Sequence, residues 1–597
     1  MKPNNLRLLC LTLLLMTGVS GLHAAVDYLC FTAESASSIK LSMTGSITAD
    51  VKTSADGVTW TDYMFDTDIN LGAGEKVYFK GNYRGTATNN FAKFVMSGQI
   101  SASGNIMTLT DGDNPTLSLE GKRYCFYSLF SGCESLTSAP TLPAETLAAN
   151  CYASMFYYCT ELSEAPALPA TALAVYCYDS MFYGCTGLTK APELPATTLS
   201  ARCYAYMFNS CSSLSKAPKL PALKMTEACY TYMFNGCIGL VEAPALPATA
   251  LADYCYEAMF NSCVSLTEAP DLPATTLSSR CYYYMFSGCS GLTKAPALPA
   301  KTMTYYCYYN MFNGCSGLTE APELPATTLD EYCYSFMFSG CIGLTEAPEL
   351  PAATLAERCY SYMFNCCTGL TKAPALPATN LAEFCYEAMF YSCTGLTEAP
   401  ELPATTLSNF CYNGMFANCT GLKEAPELPA AILTDRCYYM MFSGCTGLTK
   451  APELSAAILT EYCYYKMFSG CTGLTEAPVL PATTLAANCY EAMFSGCTKL
   501  NSLKVGFTSW LDTEDATLNW VNNVSPTGTF VCPYGLDTSV RDDSHVPVGW
   551  TVDVGTGIAP VMDNSAANGV IYNTSGQRAG EQNRGIVIQN GRKYFNR

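Results

Sequence analysis

Charged residues are scarce in this 597-residue chain, with Asp, Glu, Lys and Arg together making up 14% of it. Histidine is scarcer, with two, and tryptophan numbers four. Each shortage excludes something. Low charge beside 49% hydrophobic residues is the reverse of the balance that keeps a chain disordered, so a large buried core is expected. With the leader described below removed, His545 is the one histidine left, which nearly rules out Ser–His or Cys–His chemistry. A Gly-rich phosphate loop is missing as well. No cofactor or metal is expected, and the expectation is that the chain is not an enzyme.

Basic residues are in deficit too. The formal charge is -18, and loss of Lys2 and Arg7 with the leader takes it to about -20. Phosphate backbones are gripped by Lys and Arg, so no nucleic acid is expected as partner. Docking on anionic lipid is equally disfavoured. Residues 1–24 have the pattern of a secretory signal peptide: Lys2 and Arg7, an apolar run from Leu8 to Val19, and Leu22-His23-Ala24 before Ala25. That run is too short to span a bilayer, and no transmembrane segment is expected after it. The expected location is outside the cytoplasm: secreted, at the cell surface or associated with an outer membrane.

What the chain has in excess is 34 Cys, 41 Tyr, 33 Pro and 24 Met. Most of them belong to one 26-residue unit copied about fifteen times over 122–500. Its first cysteine recurs without insertion or deletion from Cys125, Cys151 and Cys177 to Cys489, and a second follows eight residues later, from Cys133 to Cys497. Within a unit, Leu147, Cys151, Met155 and Cys159 stand four apart, with Phe156 beside Met155, which predicts one helical face. Pro195 to Leu199 resembles a helix start with a Thr cap, and Gly184, Gly236 or Gly288 a helix end. Leu188 to Pro195 is short, extended and limited by proline, which suits one very short strand per rung of a parallel stack.

The expected fold is therefore an α/β repeat solenoid of the leucine-rich-repeat type, a ribbon on the order of 70 Å long. Residues 25–121 lie outside the repeat and alternate over Ile39 to Met43, Tyr78 to Lys80 and Phe94 to Met96, as in a small β-sandwich. Residues 501–553, with Trp510, Trp520 and Trp550, lose the register and are expected to cap the open end. Residues 554–597 form a linker and a small β tail, where Asn590-Gly591 predicts a hairpin between Gly585–Ile588 and Lys593–Phe595.

The segment Met181-Phe182-Tyr183-Gly184-Cys185 through Leu188, present in every copy with small substitutions, resembles the BspA-like leucine-rich-repeat surface proteins of Bacteroidota and other host-associated microbes. The resemblance covers about 125–500. It implies a leucine-rich-repeat solenoid, surface exposure and, in some members, adhesion to host proteins or other cells. This chain departs from it in the first cysteine of each unit, where the family more often has an apolar residue, and in the Ala-Pro of the extended segment. The tail, Val570 to Arg578 with Gly585-Ile586-Val587-Ile588 and Gly591-Arg592-Lys593, is similar to the C-terminal sorting tails of the type IX secretion route, though shorter.

The repeat cysteines admit three readings. Zinc needs converging ligands, usually in CxxC pairs, and the spacing of eight with almost no His does not supply them. An even count in a secreted chain favours disulfides. Eight helical residues, however, hold two α-carbons about 12 Å apart, against a bridging limit of about 7 Å. Buried thiols are the third reading, favoured here for a tightly stacked core. The tyrosine after the first cysteine, Tyr152 to Tyr490, suits rung-to-rung packing, or an aromatic ladder for sugars or a partner protein.

A charged row stands beside Ala-Pro: Glu164, Lys190, Lys216, Glu242, Glu268, Lys294, Glu320, Glu346, Lys372, Glu398, Glu424, Lys450 and Glu476. A second row is Glu193, Lys219, Asp271, Glu323, Glu349, Glu401, Glu427 and Glu453. Both are expected to point outward, mixed signs softening the repulsion between rungs, either as a solvated face or as the candidate binding face. The expected partner is a host or microbial surface protein or a glycan. The alternatives are a structural spacer presenting the N-terminal β domain and an accessory glycan-capture protein.

Overall fold

The computed structural model describes residues 26–510 and 515–554, together with the backbone of four strands in the tail. Residues 1–24, where the sequence predicts a signal peptide, lie outside the described residues. The strands are β1 (Leu29–Ala33), β2 (Ser37–Thr44), β3 (Val51–Ser54), β4 (Thr61–Asp62), β5 (Ile69–Leu71), β6 (Lys76–Gly81), β7 (Phe91–Ser97), β8 (Ile100–Ser103), β9 (Leu136–Ser138), β10 (Ser502–Lys504), β11 (Thr529–Cys532), β12 (Thr551–Val554), β13 (Ile571–Asn573), β14 (Arg578–Ala579), β15 (Gly585–Gln589) and β16 (Arg592–Asn596). One short helix, α1 (Thr108–Asp111), stands among them. Among the described residues, no helix is long and apolar enough to cross a membrane.

Two sheets make the N-terminal unit, in the orders β4-β3-β6-β1-β8-β9 and β5-β2-β7. Alternate residues turn inward most clearly in β2, where Ile39 and Leu41 are fully buried between half-buried neighbours. The first sheet does not stop at residue 121. Its edge strand β9 belongs to the first repeat and pairs in parallel with β8.

The helix expected in each unit does not form; among the described residues the array contains no α-helix. In its place runs a ribbon of consecutive tight turns. In the third unit, the amides of Cys177, Asp179, Met181, Tyr183 and Cys185 each donate to the carbonyl three residues back. The alternate amides, of Tyr176, Tyr178, Ser180, Phe182 and Gly184, donate to the next rung, at Ala201, Cys203, Ala205, Met207 and Asn209. Every amide along this ribbon is thus satisfied without helix or sheet. Left-handed residues at every fourth position make the alternation possible: Tyr176, Ser180 and Gly184 have φ of 58°, 56° and 71°.

The spacing of the apolar residues explains why no helix forms. A helical face mixes steps of three and four, because 3.6 residues make a turn. Steps of four alone drift around a helix by about 40° each, whereas a ribbon that repeats every four residues keeps them aligned. The residues that follow the first cysteine and the methionine are buried as well, so Cys177-Tyr178 and Met181-Phe182 enter the core as pairs.

The extended segments meet the next rung through single-residue parallel pairs, such as Glu164 with Lys190 and Ala172 with Thr198, where the helix start was expected. Gly187 is required there. A Cβ on it would lie 2.4 Å from the Thr160 carbonyl oxygen of the previous rung.

Two aromatic ladders fill the core. Tyr152 stacks on Tyr178 at 5.9 Å and 4°, Phe156 on Phe182 at 5.4 Å and 1°, and both ladders run on to Tyr490 and Phe494. Trp520 closes them, 6.3 Å from Tyr490 and 6.5 Å from Phe494. The cap loses the 26-residue period yet keeps stacking: β10, β11 and β12 pair in parallel, and the amide of Phe494 donates to Trp520. In the tail, β15 and β16 pair antiparallel from Gly585 with Asn596 to Gln589 with Arg592, around the expected hairpin turn. Val570 and 574–577 of the sorting-like motif lie outside the described residues.

Candidate functional site: the two long faces of the array

The ladder geometry dictates what each face of the solenoid carries. On the extended side, every residue of the two charged rows is exposed: Glu164, Lys190, Glu193, Lys216, Lys219, Glu242, Glu268, Asp271, Lys294, Glu320, Glu323, Glu346, Glu349, Lys372, Glu398, Glu401, Glu424, Glu427, Lys450, Glu453 and Glu476. Parallel pairing holds the first row in register, from Lys216 through Glu242, Glu268 and Lys294 to Glu320. The signs do not alternate. From Glu242 onward two acids are followed by one lysine, so Glu242 is paired directly with Glu268. Among the described residues, one ion pair forms within the row, Lys216 to Glu242 at 3.6 Å, and both partners are exposed. Mixed signs therefore soften the repulsion only in part. A shallow cleft of about 300 Å³ crosses this face between Lys372 and Glu398, walled by Pro374, Pro377, Pro400 and Pro403.

The cysteines serve the core. Each described cysteine is an unpaired thiol, buried except for half-buried Cys366. The second cysteine of every unit points its thiol at a phenylalanine carbonyl of the preceding rung: Cys185 to Phe156 at 3.0 Å, Cys211 to Phe182 at 3.1 Å, and so on to Cys497. That carbonyl already accepts the amide of its own second cysteine, as Phe156 does from Cys159 at 3.1 Å. A small buried group able to use the second lone pair is what the site needs, and a thiol is one. Burial pushes the Cys185 and Cys237 thiols up to about 12. Among the described residues, no group of three or more His, Cys, Asp or Glu is arranged to hold a metal ion.

The turn side carries a surface that the spacing of the conserved pattern did not reveal. The residue before each first cysteine is half-buried along most of the array and forms a third stack of rings and guanidinium groups. Tyr306 lies 4.4 Å from Tyr332 at 9°, and Phe384 lies 4.4 Å from Phe410 at 14°. Arg202, Arg280, Arg358 and Arg436 enter this row at every third unit. Their guanidinium carbons sit over neighbouring rings, 5.2 Å from Tyr176, 4.9 Å from Tyr306, 3.7 Å from Phe384 and 4.4 Å from Tyr462. The recurrence of arginine at every third copy was the available signal, visible only when the copies are compared at their variable positions.

Two acids pair with these arginines, and a third, Glu257, lies near them. Asp179 accepts from Arg202 at 3.3 Å, and Glu387 from Arg358 at 3.0 Å, from Ser361 at 3.2 Å and from Asn413 at 3.1 Å. Glu257 accepts from Thr231 at 3.3 Å. Burial raises the carboxyl pKa of Asp179, Glu257 and Glu387 above the ordinary range, although neighbouring arginines and hydrogen bonds pull the other way.

The one histidine among the described residues, His545, lies in the cap. Its Nδ1 is 2.8 Å from Asp542, its ring 5.0 Å from that of Trp510, and its carbonyl accepts the Trp520 indole at 2.9 Å.

No protein-family model matches the chain. No curated protein matches its sequence. Among solved structures, the crystal structure of a TLR13–ssRNA13 complex is similar over 70% of this chain, at 13% identity and a TM-score of 0.22. The match covers 52% of that chain, so this one spans about half its length, and a likeness this loose carries no argument about fold or ligand.

Proposed function

We propose that the chain is a secreted, surface-displayed leucine-rich-repeat protein of the BspA-like kind, and that it binds a host or microbial surface protein or glycan through the charged extended face. The observation that carries this reading is the charge of that face, of which one ion pair, Lys216 to Glu242, forms among the described residues. Like charges one rung apart, at about 4.8 Å, repel one another, and elsewhere in the array buried acids are given partners. Carboxylates held in register on consecutive rungs and left open to solvent suit a partner that supplies the opposite charge. The binding is non-catalytic; His545 is tied into the packing of the cap.

Binding of the full chain to matrix proteins, mucin and immobilised glycans tests it, with Glu320→Lys, Glu346→Lys and Glu398→Lys combined on three acidic rungs on either side of Lys372. These side chains are exposed, so the fold is expected to survive. Binding that is lost, and that weakens with salt in the parent chain, supports the charged face; binding untouched by the triple change rejects it. Protease or biotin labelling of intact cells tests display at the surface.

The spacer alternative needs an N-terminal unit held away as a module of its own. β9 of the first repeat completes the sheet of that unit, which favours an N-terminal cap of the array instead.

A further inference from the structure

The row before the first cysteine is broken near its start. Tyr124, Asn150 and Tyr176 hold that position on three consecutive units. All three are left-handed, with φ of 57°, 58° and 58°, so their side chains leave the backbone in the same direction. Where the row is continuous, ring follows ring at 4.4 Å. Asn150 puts a short amide where a ring would stand, and Tyr124 and Tyr176 are left two rungs apart, about 9–10 Å at the spacing of parallel strands. A cleft of about 690 Å³ opens there, lined by Arg123, Tyr124, Ala149, Asn150, Val175 and Tyr176.

Arg202 covers one face of the Tyr176 ring, with its guanidinium carbon 5.2 Å from the centroid. Tyr176 also lines the cleft, together with Ala149 and Asn150 of the preceding rung. Tyr176 is 36% exposed and Val175 41%. Charge at the rim is basic, against the trend of a chain that carries -18. Arg123 is exposed and makes no ion pair among the described residues. Arg84 is exposed and unpaired as well, and the Gly85 amide, bonded to the Cys125 carbonyl at 3.2 Å, sets it beside the same rung. At Ala228, the next short residue of the row, the rim positions that match Arg123, Ala149 and Val175 are Ala201, Glu227 and Asp253.

We infer that the cleft between Tyr124 and Tyr176 binds one carboxylated pyranose of an acidic glycan. The two tyrosines bracket the sugar ring, the Asn150 amide meets its hydroxyls, and Arg123 meets the carboxylate. Width selects a sugar over a flat aromatic side chain. A flat ring in contact with both walls wants them about 7 Å apart, and a chair with axial hydrogens is thicker. This site lies on the turn side and stands independently of the charged extended face.

The experiment is a titration of the full chain, followed by calorimetry and ligand-detected NMR, with trigalacturonic acid, 3′-sialyllactose and neutral lactose. Binding of either acidic sugar supports the site and tells a uronate from a sialate source. Binding of neither, or of lactose equally well, overturns it. Asn150→Tyr restores the ring that Tyr124 and Tyr176 already carry in this backbone conformation, so it leaves the melting temperature unchanged or higher while weakening binding by more than about tenfold. Arg123→Gln weakens the acidic sugar by about tenfold without affecting folding. Wild-type affinity in Asn150→Tyr places the sugar elsewhere and rejects the cleft.

Discussion

The ring of Phe94 stacks on that of Phe130 at 5.3 Å and 16°, and the Phe94 carbonyl accepts the Cys133 thiol at 3.1 Å. Its amide donates to Leu129 at 2.7 Å. These are the contacts one rung makes with the next: Phe130 stacks on Phe156 at 5.2 Å, its amide donates to Met155 and its carbonyl accepts the Cys159 thiol. Phe94 belongs to β7, so the N-terminal sandwich supplies the rung before the first.

Phe94→Ala is therefore expected to act on the array as well as on the sandwich. A buried phenylalanine cut to alanine costs about 3–5 kcal/mol, and in a stacked array the loss falls on neighbouring rungs first. Hydrogen exchange checks it: amides of the first rungs, such as Phe130 and Phe156, lose protection while those near Phe468 keep theirs. Uniform protection throughout would show that the sandwich and the array are independent.

The thiols make stability sensitive to alkali. Burial raises Cys185, Cys237 and Cys289 from 9.0 to about 12. The unfolded chain ionises first, so stability that is complete below about pH 9 is lost as the pH climbs towards 12. Circular dichroism should show one cooperative alkaline transition in that window. At pH 8, a thiol reagent should react quickly with Cys366 and with no other array cysteine until the chain unfolds.

Tyr178 is buried, and its hydroxyl has no hydrogen-bond partner. Tyr178→Phe keeps the ladder and removes an unpaid polar burial, so denaturant melts should show a gain of about 1 kcal/mol. A loss of similar size would mean that the hydroxyl is satisfied in solution.

Glu387 tests which effect wins beside Arg358. Burial holds its carboxyl pKa above the ordinary value despite the arginine 3.0 Å away. A group raised in this way favours the folded state below the unfolded pKa and loses that contribution as the pH rises through the folded one. Glu387→Gln is expected to raise the melting temperature at pH 7 and to flatten its dependence between pH 4 and 7. A fall at pH 7 shows instead that the ion pair outweighs burial.

Much of the core was legible in the recurrence of Leu, Cys, Tyr, Met-Phe and Cys, because residues that stack on their own copies must repeat. The turn ribbon was not legible in Leu147, Cys151, Met155 and Cys159, because apolar residues four apart also fit a helical face and differ from one only in lacking steps of three. The Tyr124–Asn150–Tyr176 cleft was not legible. It depends on a residue that differs from its neighbours, and the repeat itself hides such residues.

The sequence alone determined the period, the stacking residues and the acidic, histidine-poor surface, since each follows from counting residues along one chain. Only the tertiary structure decided that the ribbon is made of turns, that Phe94 starts the ladder and that arginines line the turn side. The reason is that alternate amides of each ribbon find their acceptors one rung away, and a partner 25 residues along the chain is set by stacking rather than by local preference.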